Sequence, residues 1–190
     1  MSATLRPVGP SRPRRDLACG CVLAAVVLLP ALPVLGLVLY LPLNFVVQTV
    51  HVIGPAMEPA VRNGDYLVAD KLAYRRHPPA RGDIVILRDP FDPGKDLIKR
   101  VVGLPGERVL VAACAVSVDG RRLPEPYVRA WSVCDPPWPA DGQPATLALD
   151  EYFLMGDNRD RSMDSRQIGP IRRSQIESRA WFRALPLVRG

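Results

Sequence analysis

The amino-acid sequence predicts a mainly β domain that follows one N-terminal transmembrane helix. Three observations carry this expectation. Residues 17–40 contain no charged side chain. The 21 prolines and 14 glycines are spread along the chain rather than gathered into a repeat, which disfavours a helical bundle. From Phe45 onward, short apolar runs alternate with turn signals. With 190 residues and 48% apolar composition, the chain has room for one ordinary domain plus a short accessory segment, and it is not composed like a disordered one.

The stretch from Leu17 to Tyr40 rises about 1.5 Å per helical residue, enough to cross a hydrocarbon core of about 30 Å. Pro30 and Pro33 should kink it, which membrane helices tolerate when neighbours satisfy the freed carbonyls. The rival reading is a secretory signal peptide. That would have a shorter apolar region of about 7 to 15 residues ending in a small-x-small site, and neither condition is met cleanly. Arg12, Arg14 and Arg15 precede the stretch, so the positive-inside bias places residues 1–16 in the cytoplasm as a basic tail. Residues 41–190 then form the extracytoplasmic domain.

The formal charge of +6 invites nucleic acid, but the arginines are dispersed among acids without a basic stripe or interleaved aromatics, so no nucleic-acid partner is expected. His51 and His77 stand apart without ligand spacing, and no metal or cofactor is implied. Cys19 and Cys21 read as small residues of the apolar stretch. Cys114 and Cys134 fall in the outer domain, where disulfides persist, and bracket a segment rich in proline and tryptophan. They form either a staple on that loop or two free buried thiols.

Within the outer domain, residues 45–53 (FVVQTVHVI) read as a strand. Asn63-Gly64-Asp65 and Arg81-Gly82-Asp83 are turns, each leading into an apolar run, Tyr66–Val68 and Ile84–Leu87. The RGD triplet is thus punctuation rather than an adhesion ligand. Asp119-Gly120 joins Val116–Val118 to Arg121–Leu123 as a hairpin. Residues from about 124 to 147 are expected to be an irregular insertion, because the run from Cys134 to Pro139 is too rich in proline for regular ladders. Tyr152–Met155 and Arg179–Arg183 complete the strands.

Three segments carry chemistry: Gly54-Pro55-Ala56-Met57-Glu58-Pro59, then Lys99 to Gly106 (KRVVGLPG), then Gly156 to Arg166 (GDNRDRSMDSR). In order, spacing and position after an apolar stretch they resemble the sequence boxes of the bacterial type I signal peptidases, membrane-bound Ser/Lys endopeptidases. The resemblance runs from the apolar stretch to the last expected strand. It implies a signal-peptidase-like β domain in the bacterial cell membrane, acting on the signal peptides of exported preproteins.

Residue by residue, the resemblance implies a nucleophilic serine at position 56 and Lys99 as its general base. A lysine can take that proton only if burial lowers its pKa far below the ordinary value of about 10.4. Ser162 matches the serine that orients the lysine amine. Asp164 and Arg166 match an ion pair that braces the site. The oxyanion would be held by the backbone N–H of residue 56, since the residue two places earlier is Gly54 and carries no hydroxyl. Signal peptides end in a small-x-small pattern that shallow apolar pockets select, with the extended substrate paired to a strand edge. Val52, Met57 and Pro59 are the substrate-binding candidates, with packing the rival role for Met57.

Position 56, however, is alanine. A methyl group cannot attack a carbonyl, so the chain as it stands is expected not to cleave. Ala60, where the family commonly has threonine, is a second departure nearby. Three readings follow: a signal peptidase altered at residue 56, a natural non-cleaving relative that binds signal peptides or membrane proteins, and an anchored domain with structural duties only. Retention of Lys99, Ser162, Asp164 and Arg166 favours the first two.

Overall fold

A computed structural model describes residues 33–38, 40, 46–92, 94–129, 131–134 and 136–184, the last three as backbone. The chain divides into two units, Met1–Asn44 and Phe45–Gly190. Most of the span expected over 17–40, and all of the tail over 1–16, lie outside the described residues. Residues 33–38 and 40 are helical, and among the described residues no helix is long and apolar enough to cross a membrane.

The second unit is mainly β, as its alternating runs predict. Eleven strands are described: β1 (Val47–His51), β2 (Tyr66–Asp70), β3 (Ile84–Arg88), β4 (Asp96–Gly103), β5 (Arg108–Ala112), β6 (Ala115–Val118), β7 (Arg121–Arg122), β8 (Ala145–Thr146), β9 (Glu151–Met155), β10 (Ile171–Arg172) and β11 (Ile176–Ala184). Seven of them form an antiparallel sheet in the order β1-β2-β11-β3-β4-β9-β10, and four form a second sheet in the order β7-β6-β5-β8. The final strand is longer than the alternation at residues 179–183 suggests, and it lies in the middle of the large sheet between β2 and β3.

Strand β4 joins the two halves of the core. Val101 packs with Val85, Leu87, Tyr152, Leu154 and Ile171 in one cluster. Its neighbour Val102 packs with Val109, Val116, Leu147 and Phe153 in another, beside the small sheet. Successive side chains of a strand point to opposite faces, so two adjacent valines serve two cores. A third cluster of Val52, Met57, Val61 and Leu67 lies under the segment that carries residue 56.

The insertion is more ordered than its prolines suggest. Trp138 forms a two-way backbone bridge with Val111, with N···O distances of 2.8 and 2.9 Å, and β8 pairs with β5. The prolines around Trp138 lack N–H donors, but Trp138 itself keeps its own, which is enough for a bridge. Cys114 and Cys134 are joined as a disulfide with Cα atoms 4.9 Å apart. This settles the alternative between a staple and free thiols.

Candidate active site

The Gly54–Pro59 segment follows β1. Gly54 has φ +105°, a conformation that L side chains rarely adopt, and its N–H donates to Asn63 Oδ1 at 2.9 Å. The turn presents Ala56, half-buried, with its N–H donating to no group among the described residues. The Ala56 carbonyl accepts from Asn158 N at 3.0 Å, which ties residue 56 to the Gly156–Arg166 loop. Gly156 makes the same junction possible. A Cβ at that position would lie 2.2 Å from Ser162 Oγ and 2.5 Å from the Ala56 carbonyl oxygen, so the loop approaches residue 56 only because residue 156 has no side chain.

Lys99 arrives from β4. It is 3% exposed, and burial pushes its pKa below the ordinary lysine value. The Asp164 carboxylate opposes this shift and the Arg166 guanidinium reinforces it. Lys99 and Ala56 line one cleft of about 490 Å³, together with Val50, Val52, Ile53 and Ile86. On one side Asp96–Lys99 pair with β3, but β9 ends opposite Arg100, so among the described residues this first half of β4 has no strand partner on its other side.

Asp164 is completely buried and accepts from Gly156 N at 2.9 Å and from Arg166 Nε at 2.8 Å. It also caps the short helix Ser165–Ile168 in a reciprocal arrangement with Gln167. Arg166 reaches back to the carbonyls of Arg159 and Ser162 at 2.8 and 3.2 Å. One carboxylate and one guanidinium thus tie Gly156, Arg159 and Ser162 to the turn at Ser165. Ser162 is buried beside Gly156, and its Oγ has no hydrogen-bond partner among the described residues. The bond to the lysine amine that the resemblance implies is therefore not formed here.

The three expected substrate residues part company. Val52 lines the cleft with Ala56 and Lys99. Met57 is fully buried against Val52, Val61 and Leu67, so its role is packing beneath the site rather than contact with substrate. Pro59 lines a separate, polar cleft with Glu58 and Asn158.

Sequence reasoning missed a further layer. Arg100 chelates Asp157 through Nε and Nη2 at 2.7 and 2.6 Å, holding the start of the loop against β4. Arg159 is buried, paired with Glu125 of the insertion, and lies beneath the Trp131 ring at 4.9 Å. Asp160 accepts from the backbones of Ser132 and Val133, both at 3.0 Å. The density of arginine and aspartate in this loop is visible in the sequence, but their partners are far away along the chain, and no local pattern pairs them.

A family model described as "Signal peptidase, peptidase S26" matches residues 24–185. The chain belongs to the peptidase S26 signal peptidase family. A probable signal peptidase I-1 of Synechocystis sp. is 37% identical over 163 residues, 81% of this chain and 80% of that one. A probable signal peptidase I-2 of the same organism is 36% identical over 152 residues, 77% of this chain and 66% of its own length. The mitochondrial inner membrane protease subunit 1 of Homo sapiens is 30% identical over 152 residues, 80% of this chain and 78% of that one. Among solved structures, a signal peptidase I from Enterococcus faecalis is 30% identical and matches with a TM-score of 0.47, covering 54% of this chain and 97% of that one.

Proposed function

We propose that this S26 family member is a signal peptidase I scaffold, anchored in the bacterial cell membrane by residues 17–40, which binds the signal peptides of exported preproteins and is held inactive by Ala56. The observation that carries the reading is the buried Lys99, its pKa lowered by desolvation, in one cleft with residue 56. A surface lysine would be a solvated cation, whereas burial without a paired carboxylate disfavours the charged form and moves the amine toward the neutral state that a general base needs.

With a serine at position 56, neutral Lys99 would take the hydroxyl proton as Oγ bonds to the scissile carbonyl carbon. The Ala56 N–H, which donates to no group among the described residues, is the backbone donor this reading assigns to the oxyanion. The lysine proton would pass to the leaving amine, and water would then release the acyl group by the same base. The apolar cleft and the open edge of Asp96–Lys99 suit an extended peptide with small side chains, whose backbone pairs with the strand while Val52 and Ile86 limit side-chain size. This reading assigns Ser162, whose buried hydroxyl has no partner among the described residues, to hydrogen-bond such a serine–lysine pair.

The second reading is a natural non-cleaving relative that binds signal peptides or other membrane proteins through the same cleft. Ala56 itself favours it. Comparing Ala56→Ser with the unchanged chain on a purified preprotein in detergent separates the two. Cleavage after a small residue by Ala56→Ser alone supports the first, and binding without cleavage by both supports the second.

A further inference from the structure

The Gly156–Arg166 loop carries two arginine side chains that are almost wholly buried, and they are neutralised from different places. Arg166 pairs with Asp164, two residues away in the same loop. Arg159 takes its carboxylate from the insertion. Glu125 accepts from both terminal nitrogens of Arg159, Nη1 at 2.9 Å, while Arg159 Nε donates to the Gly156 carbonyl at 3.1 Å. A buried guanidinium deprived of its carboxylate is strongly unfavourable, so Arg159 stays inside only while the insertion is docked.

The insertion grips the loop and its surroundings at further points. The Trp131 ring lies 4.9 Å from the Arg159 guanidinium and 5.4 Å from that of Arg166. Ser132 and Val133 each donate a backbone N–H to Asp160 at 3.0 Å. Tyr127 donates its hydroxyl to Glu125 at 3.0 Å and sets its ring 4.3 Å from the Arg100 guanidinium, which itself chelates Asp157. Cys134 follows directly and is bonded to Cys114 in the turn between β5 and β6. Asp157, Arg159 and Asp160 are thus all held by partners outside the loop. Between them stands Asn158, whose N–H donates to the Ala56 carbonyl at 3.0 Å. Lys99 is held separately, by the pairing of β4 with β3. A shift of residues 157–160 therefore moves residue 56 relative to Lys99.

We infer that the insertion is a latch on the reaction centre, in which Glu125 acts through Arg159 as a positioning residue and the Cys114–Cys134 bond keeps the latch docked. Its consequence for catalysis rests on the proposed serine–lysine reaction; its hold on the loop does not.

Two variants of the full-length protein in detergent test it. Glu125→Gln keeps the shape of the side chain and removes its charge. Cys114→Ser/Cys134→Ser releases the far end of the insertion and decides the matter where Glu125→Gln does not fold. Amide hydrogen exchange followed by mass spectrometry should be on the order of tenfold faster over residues 156–161 in both variants, with β3 and β11 protected as in the unchanged chain. In the Ala56→Ser background, kcat per folded molecule should fall by about tenfold with KM within about twofold, since the apolar cleft along Val50–Ile53 lies outside the latch. A pair that served stability alone would lower the amount of folded enzyme and leave kcat per folded molecule unchanged. Unchanged exchange over residues 156–161 in folded variants, or unchanged kcat per folded molecule in an Ala56→Ser chain that cleaves, would overturn the inference and leave the proposed activity intact. If Ala56→Ser cleaves nothing, the proposed activity fails and the exchange result alone decides for or against the latch.

Discussion

At the scale of single residues, the proposed chemistry reduces to one lysine and one absent oxygen. Lys99 is buried with its pKa lowered, so the folded chain binds fewer protons at this position than the unfolded chain. The sign follows directly. Stability rises with pH from the folded-state value of Lys99 up to its unfolded value near 10.4, and the buried cation is a penalty below that window. Lys99→Met removes the penalty. Thermal melts should show the variant more stable by on the order of 1 kcal/mol at pH 7, with the difference closing as pH approaches about 10. A constant difference across pH would mean that Lys99 carries no charge-dependent cost. The neighbourhood was legible in the sequence as a motif, since Lys99, Ser162, Asp164 and Arg166 all fall around residue 56 or its loop. The role of Met57 was not, because whether a lone methionine faces a groove or a core depends on Val61 and Leu67, which arrive from the next turn and strand.

At the scale of elements, the Gly156–Arg166 loop is the part whose conformation decides the site. It is held by a capped helical turn, by the buried Asp164–Arg166 pair and by Arg100–Asp157, and it touches residue 56 across a gap that admits no Cβ at residue 156. Gly156→Ala should cost about 1–3 kcal/mol by forcing backbone apart, measured by denaturant unfolding. In the Ala56→Ser background it should also lower kcat more than KM, since the clash falls at the reaction centre and not along the apolar cleft. A neutral effect would show that the loop and residue 56 are not in contact. The strands were readable from alternation and turns, but β11 was not placed by it. Its position between β2 and β3 depends on long-range pairing, which no local period reveals. The bridge at Trp138 escaped for a similar reason: a proline-rich run looks like a breaker until one residue with a free N–H meets a partner strand.

At the scale of the whole molecule, the disulfide and the apolar stretch set the context. The Cys114–Cys134 bond fastens the insertion that supplies Glu125 and Trp131 to the Gly156–Arg166 loop. The double variant Cys114→Ser/Cys134→Ser should lose roughly 2–4 kcal/mol of stability in chemical denaturation, because the closed loop no longer restrains the unfolded chain. No loss would mean the insertion holds through its ion pairs alone. For the anchor, the full chain expressed in bacteria should stay with membranes through alkaline carbonate washing, as a spanning helix does and a peripheral protein does not. Release into the supernatant would contradict a span over residues 17–40. Family membership was within reach of the sequence because its three boxes are short and linear, whereas the cleft beside Pro59 is assembled from the turn after β1, the insertion and the Gly156–Arg166 loop, and only the fold brings those together.

The central claim is that a signal peptidase active site is complete here except for one oxygen atom. The most direct measurement is cleavage of a purified preprotein in detergent, with a metal chelator present, by the unchanged chain and by Ala56→Ser across a range of pH. The account predicts that Ala56→Ser alone cuts after a small residue, unaffected by the chelator, with a rate that rises with pH as Lys99 loses its proton. Absence of cleavage by Ala56→Ser at every pH, or activity abolished by the chelator, would contradict it.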